Sequence, residues 1–127
     1  MLGEDFMDRI KRDKYLSILK SFKDQQIIKV ITGIRRCGKS TLLEIYQDYL
    51  RNNGIKEEQI ISINFENADY EELLDRKKLH KYIKDKLVTG EKTYVFLDEI
   101  QNVIEFEKTV DSLFINKDVD LYITGSN

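Results

Sequence analysis

Proline is absent from the 127 residues, against an average near 5%, and alanine occurs once, as Ala68. Both read as compositional bias and neither points to a function. There is one cysteine, Cys37, which excludes an internal disulfide framework and a cysteine-built zinc site and suits a reducing cytoplasm. No long hydrophobic run occurs. The longest are a few residues, such as Tyr94-Val95-Phe96-Leu97, where a bilayer span needs about 20. The opening residues Met1-Leu2-Gly3-Glu4-Asp5 are acidic rather than basic and apolar, which argues against a secretory leader. A charge excess of one sign is also missing: 21 Lys plus Arg face 23 Asp plus Glu, a formal balance of −2. A dedicated nucleic-acid binder would show a strong basic excess. The stretch holding Arg76, Lys77, Lys78, Lys81, Lys84 and Lys86 reads as the solvated face of a helix. What is present is a hydrophobic fraction of 41% beside 35% charged residues, enough apolar matter for the core of one domain.

Hydrophobic periodicity switches back and forth along the chain. Residues 12–23 carry Tyr15, Leu16, Leu19 and Phe22 at helical spacing. Residues 27–31 form a β-branched run that predicts a strand, and a glycine-flanked loop follows. Leu42, Leu43, Tyr46, Tyr49 and Leu50 fall on one helical face that ends at Asn52-Asn53-Gly54. A second strand is predicted over 60–65, a second helix over 70–88 with Gly90 as terminator, and a third strand over 93–97. Asn102 followed three residues later by Glu105 predicts a capped helix start, with Val103, Phe106, Val110, Leu113 and Phe114 inward. Residues 120–124 make a fourth strand. This alternation predicts an α/β domain, a parallel sheet with helices on both faces, whose strands are apolar nearly throughout. Residues 1–26 form an N-terminal helical segment and 27–127 the core. Ligands of such sheets bind at the carboxyl ends of the strands, and each polar motif below sits at one.

Gly33-Ile34-Arg35-Arg36-Cys37-Gly38-Lys39-Ser40 satisfies G-x-x-x-x-G-K-[ST] between a predicted strand and a predicted helix, the context of a phosphate-binding loop. Gly33 and Gly38 allow a tight turn that aims successive N–H groups inward. The helix start adds its positive dipole end. Lys39 supplies a charge for the β- and γ-phosphates, and Ser40 a hydroxyl for Mg²⁺; Thr41 follows directly. Strand 93–97 ends in Asp98-Glu99, and paired carboxylates closing a buried strand call for a cation or polar partner. Beside a phosphate loop, Asp98 can hold the Mg²⁺ shell and Glu99 can polarise an attacking water. Thr124-Gly125-Ser126-Asn127 closes strand four, which can lie between the strands bearing Gly33 and Asp98; Ser126 and Asn127 are both candidates to touch the γ-phosphate or the water. Asn64, closing strand two, is a candidate to hydrogen-bond Glu99 and gate it.

Together the segments GIRRCGKSTLL, FLDEIQN and YITGSN resemble a prokaryotic and archaeal group of AAA-domain ATPases of the AAA+ P-loop type, over residues 12–127. The resemblance implies a three-layer αβα P-loop NTPase fold with strand order 1-4-3-2, ATP and Mg²⁺ as ligands, and hydrolysis. It assigns the phosphate-loop (Walker A) roles to Lys39 and Ser40, the metal-linked (Walker B) aspartate to Asp98, the catalytic glutamate to Glu99 and the polar sensor to Ser126 or Asn127. The adenine pocket would involve residues around Arg12 to Tyr15. Members of the group continue past this point with a fifth strand, a helical lid with a second sensor, and an arginine finger acting on a neighbouring subunit. The chain is therefore expected to be truncated before the fifth strand and weak or inactive alone. Its first strand is then expected to lie open at an edge and to favour homo-oligomers or self-association.

Other residues tempt. Asn116-Lys117-Asp118-Val119 has Val119 where a guanine-reading carboxylate belongs, and Gln101 stands where a GTPase would have glycine, so ATP is favoured over GTP. His80, the only histidine, sits among Lys77, Lys78 and Lys81 and reads as a solvated helix residue. Arg35 and Arg36 can reach phosphate, a partner carboxylate or water. Cys37 lies inside the loop, where alkylation should block nucleotide. Two other functions share the loop: a small-molecule kinase, and a nucleotide-gated module whose output is a partner or DNA. No membrane partner is expected.

Overall fold

The computed structural model describes residues 6–32 and 36–125, with the side chains of 6–11, 36–38 and 40 outside that description. Its elements run α1 (Phe6–Ser21), β1 (Lys29–Ile31), α2 (Arg36–Asn52), β2 (Ile60–Asn64), α3 (Arg76–Lys86), β3 (Thr93–Asp98), α4 (Phe106–Ile115) and β4 (Val119–Thr124). Strands with apolar residues at nearly every position need cover on both faces, and they have it. Side chains of alternate parity divide between two layers. Ile61, Ile63, Val95, Leu97, Leu121 and Ile123 pack with Leu79 and Ile83 of α3 and with Val110 and Leu113 of α4. Ile31, Tyr94, Phe96 and Tyr122 pack on the other face with Leu19 of α1 and Leu42, Leu43, Tyr46 and Leu50 of α2. Each such side chain contributes roughly 1.5–3 kcal/mol on leaving water. Tertiary burial, more than the helices' own propensity, therefore holds these short elements.

The four strands are parallel in the order β1-β4-β3-β2, the predicted order. Asn64 stands opposite Asp98, and Leu97 opposite Ile123, so the strand ends align along one rim of the sheet. β4 lies between β1 and β3, which places its end at Thr124 beside Ile31 at the end of β1 and next to the end of β3. β1 is an edge strand, and Val30 is 59% exposed there.

Three boundaries differ from the periodicity. The expected helix over 70–88 is two elements: a 3-10 turn over Ala68–Leu74, then α3. Asp75 separates them, because its extended backbone and its carboxylate, which accepts from the N–H groups of Lys77 and Lys78, start a new helix. Asn102 does not cap α4. It ends a 3-10 turn over Ile100–Asn102, and its amide reaches the Phe65 carbonyl at 3.4 Å. Val103 is buried in the core ahead of the helix, so α4 starts only at Phe106, after Glu105 in the left-handed region. β1 begins at Lys29, and Ile27 and Ile28 belong to the connection before it.

At the opposite rim, where the strands start, a polar network underlies the aromatic layer. Lys29 Nζ bonds Asp120 Oδ1, and also donates to the Gln25 carbonyl at 2.7 Å. Asp120 Oδ2 accepts from Tyr122 OH at 2.8 Å and from Asp24 N at 2.9 Å. Tyr46 OH bonds Tyr122 OH at 2.7 Å, and Tyr94 OH donates to Asp24 Oδ1 at 2.6 Å. These bonds tie β1, β3, β4 and α2 to the connection after α1.

Candidate active site

The carboxyl rim gathers Lys39, Asp98, Glu99, Gln101, Thr124 and Gly125. Lys39 projects from the first turns of α2. Asp98 ends β3, and Thr124 ends β4. Lys39, Asp98, Glu99 and Thr124 are all buried. Glu99 adopts φ 61°, ψ 48°, left-handed for a residue with a Cβ. That conformation costs roughly 1–2 kcal/mol and is held in place by its surroundings. Thr124 Oγ1 accepts from Glu99 N at 2.9 Å and donates to Asp98 Oδ1, so one hydroxyl ties the backbone of one acid to the side chain of the other. The Glu99 carboxylate is gripped at both oxygens: Lys39 Nζ donates to Oε1 at 2.8 Å, and Gln101 Nε2 to Oε2 at 2.6 Å. Lys39 Nζ also reaches the Gly125 carbonyl at 3.3 Å. A Cβ on Gly125 would meet Gln101 Oε1 at 3.0 Å, so a larger residue there would press on the amide that holds Glu99.

Two buried carboxylates thus lie side by side at the rim, and one of them, Glu99, is bonded to the Lys39 ammonium. Asp98 presents a carboxylate oxygen of the kind that suits a divalent cation, while the Lys39 ammonium and the dipole at the head of α2 suit an anion.

The structure brings Lys39 to the adjacent pair Asp98-Glu99, with 60 positions of sequence between Lys39 and Glu99. Thr41 is half-buried on α2. Gly33, Ile34 and Arg35 lie outside the described residues, as do Ser126 and Asn127; for Arg36, Cys37, Gly38 and Ser40 only membership of α2 is described. Tyr15 packs against the α2 layer. Asn64 has another partner than expected: its Oδ1 accepts from Glu66 N at 2.9 Å, closing a turn after β2, and the amide that meets Glu99 is that of Gln101. Sequence reasoning missed Thr124 and Gln101. The signal for Thr124 was a hydroxyl closing an otherwise apolar strand; for Gln101 it was only nearness to Glu99.

The sheet order defines an α/β fold of P-loop type, and the family match below makes the chain a nucleotide-binding module of ATPase type. A family model described as AAA domain matches residues 25–127, and the chain belongs to that family. It is 44% identical over 119 residues to an uncharacterized protein of Haemophilus influenzae (strain ATCC 51907 / DSM 11121 / KW20 / Rd), a match covering 93% of this chain. The chain spans 30% of the length of that relative. No solved structure matches the chain. Among the described residues no helix is long and apolar enough to cross a membrane.

Proposed function

We propose that the chain is an ATP-binding, Mg²⁺-dependent ATPase domain that hydrolyses ATP to ADP and phosphate and drives conformational change in a larger protein. The observation that carries this reading is the buried contact of Lys39 with Glu99 beside Asp98 at the strand ends. It sets a phosphate-binding cation against the group that would act on water. The motif 33–40 would cradle the phosphates, with Thr41 just beyond it. Lys39 would exchange its carboxylate partner for phosphate oxygens, which frees Glu99 to hold a water by hydrogen bond. As the water oxygen bonds to the γ-phosphorus, the bond to the ADP oxygen breaks, and Glu99 orients the water and takes up its proton. Asp98 and Ser40 would hold Mg²⁺, whose charge offsets that of the phosphates. Among the described residues no three His, Cys, Asp or Glu side chains cluster as a metal cage. The ion would therefore draw its other ligands from phosphate and solvent. Ser126 or Asn127 would serve as the polar sensor.

Phosphate release by the full-length protein, with Mg-ATP and no acceptor added, tests the reading and separates hydrolysis from transfer to a small molecule. Release is expected, and Lys39→Ala is expected to abolish nucleotide binding. Calorimetry that detects no Mg-ATP binding by the folded protein would overturn the proposal. Turnover that rises with protein concentration would mark a site completed by a neighbouring copy.

A further inference from the structure

Away from the rim, α3 and α4 frame a second polar cavity of about 210 Å³, lined by Arg76, Lys77, His80, Lys108, Thr109 and Ser112. This is smaller than the ~300–1,000 Å³ of whole-ligand pockets, and suits one small charged group. Arg76 opens α3, whose first N–H groups are taken by the Asp75 carboxylate, and Lys108 and Thr109 lie in the first turns of α4. Glu105 is the carboxylate placed against these cations, 2.9 Å from Lys108 Nζ and 4.0 Å from Arg76 Nε. Lys108, hydrogen-bonded to it, holds the Glu105 carboxyl below the usual range, and Arg76 adds to the effect. Arg76, Lys77 and Lys108 stand against Glu105 and against Asp75, whose carboxylate caps α3 beside Lys77, which leaves an excess of one positive charge on a chain whose formal balance is −2.

A second observation points to a ligand. Thr109 is 2% exposed, and its Oγ1 has no hydrogen-bond partner among the described residues. Buried hydroxyls are ordinarily satisfied. His80 Nε2 bonds Ser112 Oγ at 2.9 Å, so the ring and hydroxyl on that wall hold each other in place. We infer that this cavity is a binding site for a phosphoryl group, held by Arg76, Lys77 and Lys108, with the Thr109 hydroxyl donating to one of its oxygens. A guanidinium, two ammonium groups and a hydroxyl arriving from two helices match the several oxygens of a tetrahedral phosphoryl group better than the two coplanar oxygens of a carboxylate. The group is either free phosphate or part of a nucleic-acid backbone, for which Lys77 and Lys84 stand on one side of α3 with Lys81 between them paired to Asp85.

The test is a calorimetric titration of inorganic phosphate into full-length protein carrying Lys39→Ala, which weakens phosphate binding at the rim. Saturable binding is expected, weakened about fivefold or more by Arg76→Gln with Lys108→Gln, both exposed enough to leave folding intact. Thr109→Val is expected to weaken it too. Absence of binding, or binding that both sets of substitutions leave unchanged, overturns the inference. In a second arm, a labelled single-stranded oligonucleotide that binds, is displaced by phosphate and is weakened by the same substitutions supports the site with nucleic acid as the source; phosphate binding without oligonucleotide binding supports it with free phosphate. Oligonucleotide binding that persists undiminished in the substituted protein overturns it. Mg-ATP binding by protein with Lys39 intact should be unaffected by Arg76→Gln and Lys108→Gln, so failure here leaves the ATPase proposal standing.

Discussion

Lys39 and Glu99, 60 positions apart in sequence, meet in a buried ion pair at 2.8 Å. On the proposed function, the cation for phosphate and the carboxylate for water are each other's partners here, so nucleotide would have to separate them. Glu99→Gln removes the charge that competes for Lys39 and also the base. Mg-ATP affinity is expected to hold or tighten, while turnover falls by about 10²-fold or more. Calorimetry beside steady-state phosphate release checks both halves; full turnover by Glu99→Gln would refute the role assigned to it.

Thr124 is fully buried and bonds both acids, donating to Asp98 and accepting from Glu99 N. Thr124→Val keeps the shape and removes both bonds. Loss of a partner that orients a ligating carboxylate typically costs 10–100-fold, and a fall in turnover of about that size is expected, with a raised Mg²⁺ requirement. Thr124→Ser should restore most of it. A drop in thermal stability with unchanged Mg²⁺ dependence would show that Thr124 serves folding alone.

The sheet was legible because runs such as 94–97 and 121–123 are apolar at every position, which only a strand covered on both faces tolerates. The convergence of Lys39, Asp98 and Glu99 at one rim was legible because the motif holding Lys39 comes after β1 and Asp98-Glu99 closes β3. The polar ties were not. Lys29 and Asp120 sit 91 positions apart inside strands that otherwise read as apolar, and nothing local announces that they pair. The break at Asp75 escaped because the periodicity of 70–88 continues across it, and one side-chain cap decides against one long helix. Asn64 and Gln101 show the same limit. Either amide could reach Glu99 by topology, and only packing assigns it to Gln101.

Ionisation in the strand-start network links stability to pH at both ends of the scale. Burial raises the Asp24 carboxyl, but hydrogen bonds from Lys23 and Tyr94 outweigh it and hold the group below its ordinary value. Its contribution is complete above a pH of about 4 and is lost as pH falls through the lower folded value, since the unfolded chain then binds the extra proton. Burial raises Tyr46, Tyr94 and Tyr122, with Asp24 adding at Tyr94 and Asp120 at Tyr122. Their contribution is complete below a pH of about 10 and is lost as pH climbs toward the raised folded values. In a spectrophotometric titration of the seven tyrosines, these three should ionise only as the chain unfolds. Reversible titration of all seven in the folded protein would contradict the network.

The side chains of Lys29 and Asp120 are only 3% and 0% exposed. Asp120 is the hub, accepting from Lys29, Tyr122 and Asp24 N, whereas Lys29 has one charged partner and the Gln25 carbonyl. Asp120→Ala therefore strands a buried ammonium and two further donors, and is expected to cost about 3–5 kcal/mol. Lys29→Met leaves the carboxylate with two donors and should cost less. Combining them removes both charges at once, so the double substitution should cost less than the sum of the two. Urea unfolding followed by far-UV circular dichroism at low protein concentration checks the ranking and the coupling. Because the network lies at the rim opposite Lys39 and Asp98, whatever fraction stays folded should bind Mg-ATP with unchanged affinity. An additive pair of substitutions would mean that the ion pair contributes nothing beyond its separate members.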